Sequence, residues 1–285
     1  MFKQISSLLK LRIGIIMMLT ALAARVVTPG QQPTGYVVLV LAIAVLVSAA
    51  GAGAFNQYFE VDLDSRMQRT RHRPFVTGRF HKSPLWLLFI FLLMVAGVAS
   101  AAVVINGVSA LYIFLGAFFY AVIYTVWLKR RTWMNIVIGG ASGSFAVLAG
   151  AAAVDPAMSP VPILLALVLF FWTPSHFWSL AIAKHQDYAD AGVPMLPVVI
   201  GDQRTADVVM VNTLVLVGIS ILPFFYGMGW IYLAGAVSGG AYFIYCNYLM
   251  IREPSATVAM KSFFASLLQL VLLLLGAVAD VYLLA

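Results

Sequence analysis

The sequence predicts an all-α polytopic membrane protein with nine transmembrane helices, and three observations carry that prediction. Of its 285 residues, 63% are hydrophobic and only 9% are charged, where a water-soluble domain carries about 25% charged residues. The charges stand in clusters separated by long apolar stretches, and turn-forming residues lie near the middle of those stretches. So few charges cannot cover a water-facing surface. Disorder is excluded by the same numbers, because disordered chains are polar and charge-rich. The single cysteine, Cys246, excludes an intramolecular disulfide and any Cys-based zinc site. A net charge of +7 would suit nucleic acid, but in a membrane protein the position of charges matters more than their sum, so no nucleic-acid partner is expected.

A helix needs about 20 apolar residues to cross the hydrocarbon core, and each interval between charge clusters is read against that length. Between Arg12 and Glu60 the only charge is Arg25, which leaves room for spans at 12–28 and 36–58 around a Pro29-Gly30 turn. Nothing charged lies between Lys82 and Lys129, giving 85–105 and 108–128 around Asn106-Gly107. Only Asp155 interrupts the stretch from Arg131 to Lys184, giving 134–154 and 160–183 around Asp155-Pro156. The uncharged stretch from Asp207 to Arg252 holds 208–226 and 230–250 around Gly227-Met228-Gly229. After Lys261 only Asp280 remains, and 263–284 is the ninth span. Residues 1–285 are read as one domain.

Placing the N-terminus in the cytoplasm puts every Lys and Arg except Arg25 on that side, which satisfies the positive-inside rule. Met1 to Lys10 is too short and polar for a cleaved signal peptide, so the first span is expected to stay.

All acidic residues except Asp155 and Asp280 share the cytoplasmic side, and the densest group ends the second span: Asn56, Glu60, Asp62 and Asp64. Steps of four residues rotate a helix by only about 40°, so Asn56, Glu60 and Asp64 share a face and Asp62 points away. Two carboxylates about 6 Å apart repel by about 3 kcal/mol at an effective dielectric near 20. A divalent cation removes that cost, and Mg²⁺ favours one or two carboxylates together with water and substrate phosphates. The run that follows carries Arg66, Arg69, Arg71 and Arg73, and guanidinium suits phosphate oxygens. Acids that hold Mg²⁺ followed by guanidiniums are what a diphosphate site requires, with Arg71 and Arg73 the candidates for phosphate. A second polar group, Lys184, Asp187 and Tyr188, follows the sixth span on the same side. Apolar Val193 to Ile200 within that charged loop suggest a cap over the site.

Asn56-x-x-x-Glu60-x-x-x-Asp64 with Arg73-Pro74 resembles the first aspartate-rich motif of the UbiA-type intramembrane prenyltransferases. Three further segments resemble the haem-farnesylating branch of that family. They are Trp127 to Thr132 (with Lys129) followed by Asn135 to Gly140, then Trp172 to Trp178 (with His176), and Asp187-Tyr188 with Ala191 to Pro197. The resemblance covers about residues 8–285. It implies nine helices around a central cavity, two polar loops meeting above it, and Mg²⁺ holding prenyl diphosphate between the motifs. It makes Asn56, Glu60, Asp64 and Asp187 the metal-binding and catalytic set. Arg71, Arg73, Lys129, His176, Lys184 and Tyr188 become substrate-binding. Lys184 takes the first acidic position of the second motif. The implied reaction transfers farnesyl from farnesyl diphosphate to a vinyl group of haem B, with water addition, to give haem O. The implied location is a prokaryotic plasma membrane with the site facing the cytoplasm. The implied partners are the lipid bilayer and the haem A synthase or terminal oxidase assembly machinery.

Two alternatives stand beside this reading. Prenylation of an aromatic quinone precursor would use the same diphosphate site. An ion-coupled transporter also buries acids, but places them near the midplane in broken helices, whereas these crowd one interface beside arginines. Tyr120 and Tyr124 share a helix face and could line the path of an allylic cation. Ser48 to Ala54 and Gly139-x-x-x-Gly143 read as small-residue faces for close helix packing. No Walker loop, dinucleotide fingerprint or Ser-His-Asp pattern is present.

Overall fold

The computed structural model describes residues 2–284, and every regular element in them is helical. A short α1 (Phe2–Leu8) leads into α2 (Leu11–Val27), α3 (Gly35–Phe59) and a one-turn α4 (Val61–Arg66). Then come α5 (Pro84–Val104), α6 (Gly107–Phe118, continued by a π-helix, Phe119–Leu128), α7 (Asn135–Ala152) and α8 (Pro160–Ala183). Two short helices, α9 (His185–Asp190) and α10 (Leu196–Ile200), precede α11 (Asp202–Ile221, with a 3₁₀ turn to Tyr226), α12 (Trp230–Arg252) and α13 (Ala256–Leu284).

The four turns fall where the sequence placed them, for local reasons. Asn106 accepts a hydrogen bond from the Ser109 amide and so caps α6. Pro84 and Pro160 open α5 and α8, where a missing N–H costs nothing.

Nine long helical segments are present among the described residues, and each packs on the next in a ring that α13 closes by returning to α2. Seven of them are long and apolar enough to cross a membrane by length and composition, two fewer than the sequence reading expected. The two that fall short have identifiable reasons. α2 has 17 residues, and α12 is diluted by Gly, Ser, Asn and Tyr. α11 and α13 begin several residues before the expected 208 and 263, because their first turns continue beyond the apolar stretch.

Lipid supplies no hydrophobic drive between helices, so the ring is held by close backbone approach and buried polar pairs. At Gly150 on α7, a Cβ would overlap the carbonyl of Ala21 on α2, and only glycine lets these two helices meet across the interior. Ser175, Ser179, Thr213, Asn247 and Ser262 are fully buried and hydrogen-bond in a chain that ties α8, α11, α12 and α13. Asp280, one of the two outlying acids, has a structural task. Its carboxylate accepts from the amides of Gly229, Ile231 and Tyr232 at 2.5, 3.1 and 3.2 Å, capping α12 from α13.

Candidate active site

The site sits where α3 ends. The helix breaks at Glu60 (φ −95°, ψ 21°), but the Asp64 amide still donates to the Glu60 carbonyl at 2.8 Å, so the rotation continues into α4. Asn56, Glu60 and Asp64 therefore keep one face and are 1%, 0% and 2% exposed. Asp62 turns outward and pairs bidentately with Arg130 at 2.7 and 2.8 Å. That pair holds the Asp62 carboxyl below its usual range.

Each inward residue meets a cation. Lys129 Nζ lies 2.5 Å from Glu60 Oε2 and Arg73 Nη1 lies 2.5 Å from Asp64 Oδ2. Lys10 Nζ donates to Asn56 Oδ1 at 2.6 Å and contacts Tyr120 Oη at 2.9 Å. Burial, then repulsion from Arg73, pulls the Lys10 ammonium well below the ordinary lysine range. Asn56 Nδ2 donates to Thr125 Oγ1 at 3.0 Å. Glu60 Oε1 is buried with no hydrogen-bond partner.

The far wall is the π-helix, whose wider turns stack Tyr120 on Tyr124 at 5.6 Å and hand Lys129 on to Glu60. Single π turns inside helices recur at functional sites. Tyr124 fits because Gly139 on α7 has no Cβ, which would run into its ring.

The second loop closes the mouth. Asp187 Oδ1 accepts from the Gln68 amide at 3.3 Å, which joins the two polar loops. Tyr188 is buried in one cluster with Leu63, Trp178, Val193, Met195 and Leu196, and burial raises its phenol pKa. Val193, Met195 and Leu196 thus pack down against Leu63 and Trp178 instead of forming a free linker, while Val199 stays exposed. A pocket of about 440 Å³ opens between the loops, lined by Gln68, Arg69, Lys184, His185, Gln186 and Asp187. Arg71 is exposed and makes no side-chain hydrogen bond among the described residues. His176 lies further in on α8, stacked between Trp172 and Phe263 at 4.2 Å each, with Nδ1 2.7 Å from Ser266 Oγ.

Among the described residues, no three His, Cys, Asp or Glu side chains gather at metal-binding distance. The donor set is nevertheless that of a hard cation: two buried carboxylates, an amide oxygen, and an unpartnered Glu60 Oε1. Such a site leaves positions for water and phosphate, which is the habit of Mg²⁺. Sequence reasoning missed Lys10 and Thr125. Lys10 looks in the sequence like any cytoplasmic charge before a first span. Its one faint signal is Gly53, where a Cβ would stand only 3.2 Å from Lys10 Cβ.

Comparison with known proteins agrees with this geometry. The model of the UbiA prenyltransferase family matches residues 17–271. The chain is 54% identical over 278 residues to protoheme IX farnesyltransferase 2 of Paramagnetospirillum magneticum, covering 98% of this chain and 96% of that one. In fold it is similar to a solved digeranylgeranylglyceryl phosphate synthase, with a TM-score of 0.82, 18% identity and 98% of both chains covered. It is also similar to a UbiA homolog from Archaeoglobus fulgidus bound to DMAPP and Mg²⁺, with a TM-score of 0.72, 14% identity, and 95% and 99% covered.

Proposed function

The chain belongs to the UbiA prenyltransferase family, and on that premise we propose that the buried group of Asn56, Glu60 and Asp64 binds the diphosphate end of farnesyl diphosphate through Mg²⁺. The enzyme farnesylates haem B to give haem O. The observation that carries the site assignment is the set of cation contacts on Asn56, Glu60 and Asp64 at one mouth of the helix ring.

Two carboxylates facing two strong cations make a surface that can exchange partners. On this reading Arg73 and Lys129 turn from carboxylate to phosphate oxygens, and Lys184 and Asp187, which line the pocket beside Arg69, supply the second loop's side of the site. When bound, Mg²⁺ would withdraw charge from the leaving diphosphate. The farnesyl C1–O bond then breaks toward an allylic cation, and stacked Tyr120 and Tyr124 present ring faces beside it. The apolar interior excludes water from C1 until the vinyl terminal carbon of haem B has bonded to it. The positive charge passes to the inner vinyl carbon, water adds there, and its proton is released. No side-chain nucleophile is required.

His176 is the residue we assign to the haem end. Eight residues of α8 separate it from Lys184, about 12 Å, a fitting distance between a planar acceptor and a diphosphate at the mouth. His176→Ala is expected to weaken haem B binding and shift its Soret band while leaving farnesyl diphosphate affinity nearly unchanged. Unchanged haem binding and turnover would reduce His176 to a packing residue. Incubation of the purified protein with haem B, farnesyl diphosphate and Mg²⁺ should give haem O by mass spectrometry. Prenylation of 4-hydroxybenzoate with haem B left untouched would sink the acceptor.

We read residues 1–285 as one domain in a prokaryotic plasma membrane, with the N-terminus and the site facing the cytoplasm. Cysteines introduced as Gln32→Cys and Ala157→Cys in a Cys246→Ala background should react with an impermeant thiol reagent outside intact cells. Thr77→Cys and Gln203→Cys should not. All four positions are exposed, so outside labelling at Thr77→Cys overturns the orientation. The haem A synthase and oxidase assembly machinery remain the partners suggested by the product.

A further inference from the structure

Three cations face two carboxylates in this site. Arg73 and Lys129 each have a carboxylate, but Lys10 holds only neutral oxygens, those of Asn56 and Tyr120. Lys10 is half-buried, and an ammonium drawn that far from water normally has an anionic partner, because taking a charge from water is costly unless it is paired. Several features are arranged to bring Lys10 there. Its backbone is left-handed (φ 47°, ψ 41°), a strained conformation for a residue with a side chain. Gln57 Nε2 donates to the carbonyls of Ser7 and Leu8, pinning the end of α1 to α3. Leu8 is packed with Ala54, Phe75 and Ile90, and Gly53 makes room for the Lys10 stem.

The oxygen that Lys10 occupies, Asn56 Oδ1, is also one that the proposed metal site needs. We propose that Lys10 is a latch that strengthens the mutual dependence of divalent-cation and diphosphate binding beyond what their direct contact supplies. Without diphosphate its ammonium occupies Asn56 Oδ1 and adds positive charge to the site. When diphosphate arrives, the ammonium turns to a phosphate oxygen, which provides the missing anion and frees Oδ1. Lys10 is thus a positioning residue, acting on the metal site through Asn56. This inference rests on the diphosphate-site reading above. Linkage requires the dependence to be reciprocal, and couplings of this kind span roughly 5- to 150-fold.

The test is equilibrium dialysis of Mn²⁺ against detergent-purified protein, with and without inorganic diphosphate, corrected for the complex the two form in protein-free buffer. In the wild type, diphosphate should tighten Mn²⁺ binding by about tenfold or more. In Lys10→Met, Mn²⁺ alone should bind more tightly than to the wild type, and the tightening by diphosphate should shrink about fivefold or more, to what direct coordination of the cation by diphosphate supplies. Apo Lys10→Met should melt no lower than the wild type, because an unpaired charge has been removed. Lys10→Gln removes the charge on a shorter polar side chain, and should weaken the coupling in the same direction if the methionine variant does not fold. Coupling as strong as in the wild type in either variant overturns the latch, as does independent binding of both ligands to the wild type. Failure of the wild type to bind either ligand overturns the diphosphate-site reading and the latch with it.

Discussion

Asp64→Ala is expected to lower turnover by about a hundred- to a thousandfold, the scale on which a single preorganised electrostatic group acts in a site that excludes water. Asp62→Ala should leave most of it. The two residues are two positions apart, about 200° around the helix, and opposite in environment. Asp64 is 2% exposed and holds Arg73, whereas the Asp62 side chain is 55% exposed and holds Arg130 at the surface. Exposed pairs contribute about 0–1 kcal/mol, so losing Asp62 costs little in either fold or site. On the proposed reading, losing Asp64 removes an oxygen pair that would face the metal, and it leaves the Arg73 guanidinium without its partner at once. Asp64→Asn, which keeps the shape, separates these effects: it should fold like the wild type and still turn over poorly. Turnover should also disappear in EDTA and return with Mg²⁺. Full activity in EDTA, or a larger loss from Asp62→Ala than from Asp64→Ala, would remove the diphosphate site from this face of α3.

The helix ring was legible because its signals are large. A bilayer requires long apolar segments, and Pro29-Gly30, Asn106-Gly107, Asp155-Pro156 and Gly227 to Gly229 punctuate them. The shared face of Asn56, Glu60 and Asp64 was legible from the four-residue period alone, and survived a break at Glu60 that the period did not announce. Other parts depend on contacts between residues far apart in the chain. Lys10 reaches Asn56 and Tyr120 only because α1 is pinned to α3, and no local pattern encodes that. The π-helix at Phe119–Leu128 has the same apolar composition as an α-helix. Its register follows from Lys129 reaching Glu60 and from Gly139 admitting Tyr124. Asp280 looked like a stray acid because the amides it caps lie on a different helix. The spacing of charges gave nine spans where length and mean hydropathy mark seven, and α2 and α12 show that burial within the ring can hold a helix that is short or diluted.

Lys129→Met should be the most destabilising single change in the site. Glu60 is fully buried, Lys129 is its salt-bridge partner at 2.5 Å, and its other oxygen has no hydrogen bond. Removing Lys129 leaves a buried carboxylate without that partner, a change that costs about 3–5 kcal/mol where one member of a buried pair is deleted. Lys10 and Arg73 offset part of that from across the site, but each is already engaged with Asn56 or Asp64. Thermal unfolding in detergent should therefore show a marked loss for Lys129→Met. Adding Glu60→Gln should recover most of it, because neutral glutamine does not need the cation. Turnover should stay absent in the double variant, since the proposed anionic metal ligand and the proposed phosphate-binding ammonium are both gone. The pair thus separates stability from catalysis at two residues: the fold needs only that their charges match, and the reaction needs the charges themselves. A double variant no more stable than Lys129→Met, or a Lys129→Met that melts with the wild type, would show that Glu60 is neutralised by some other group.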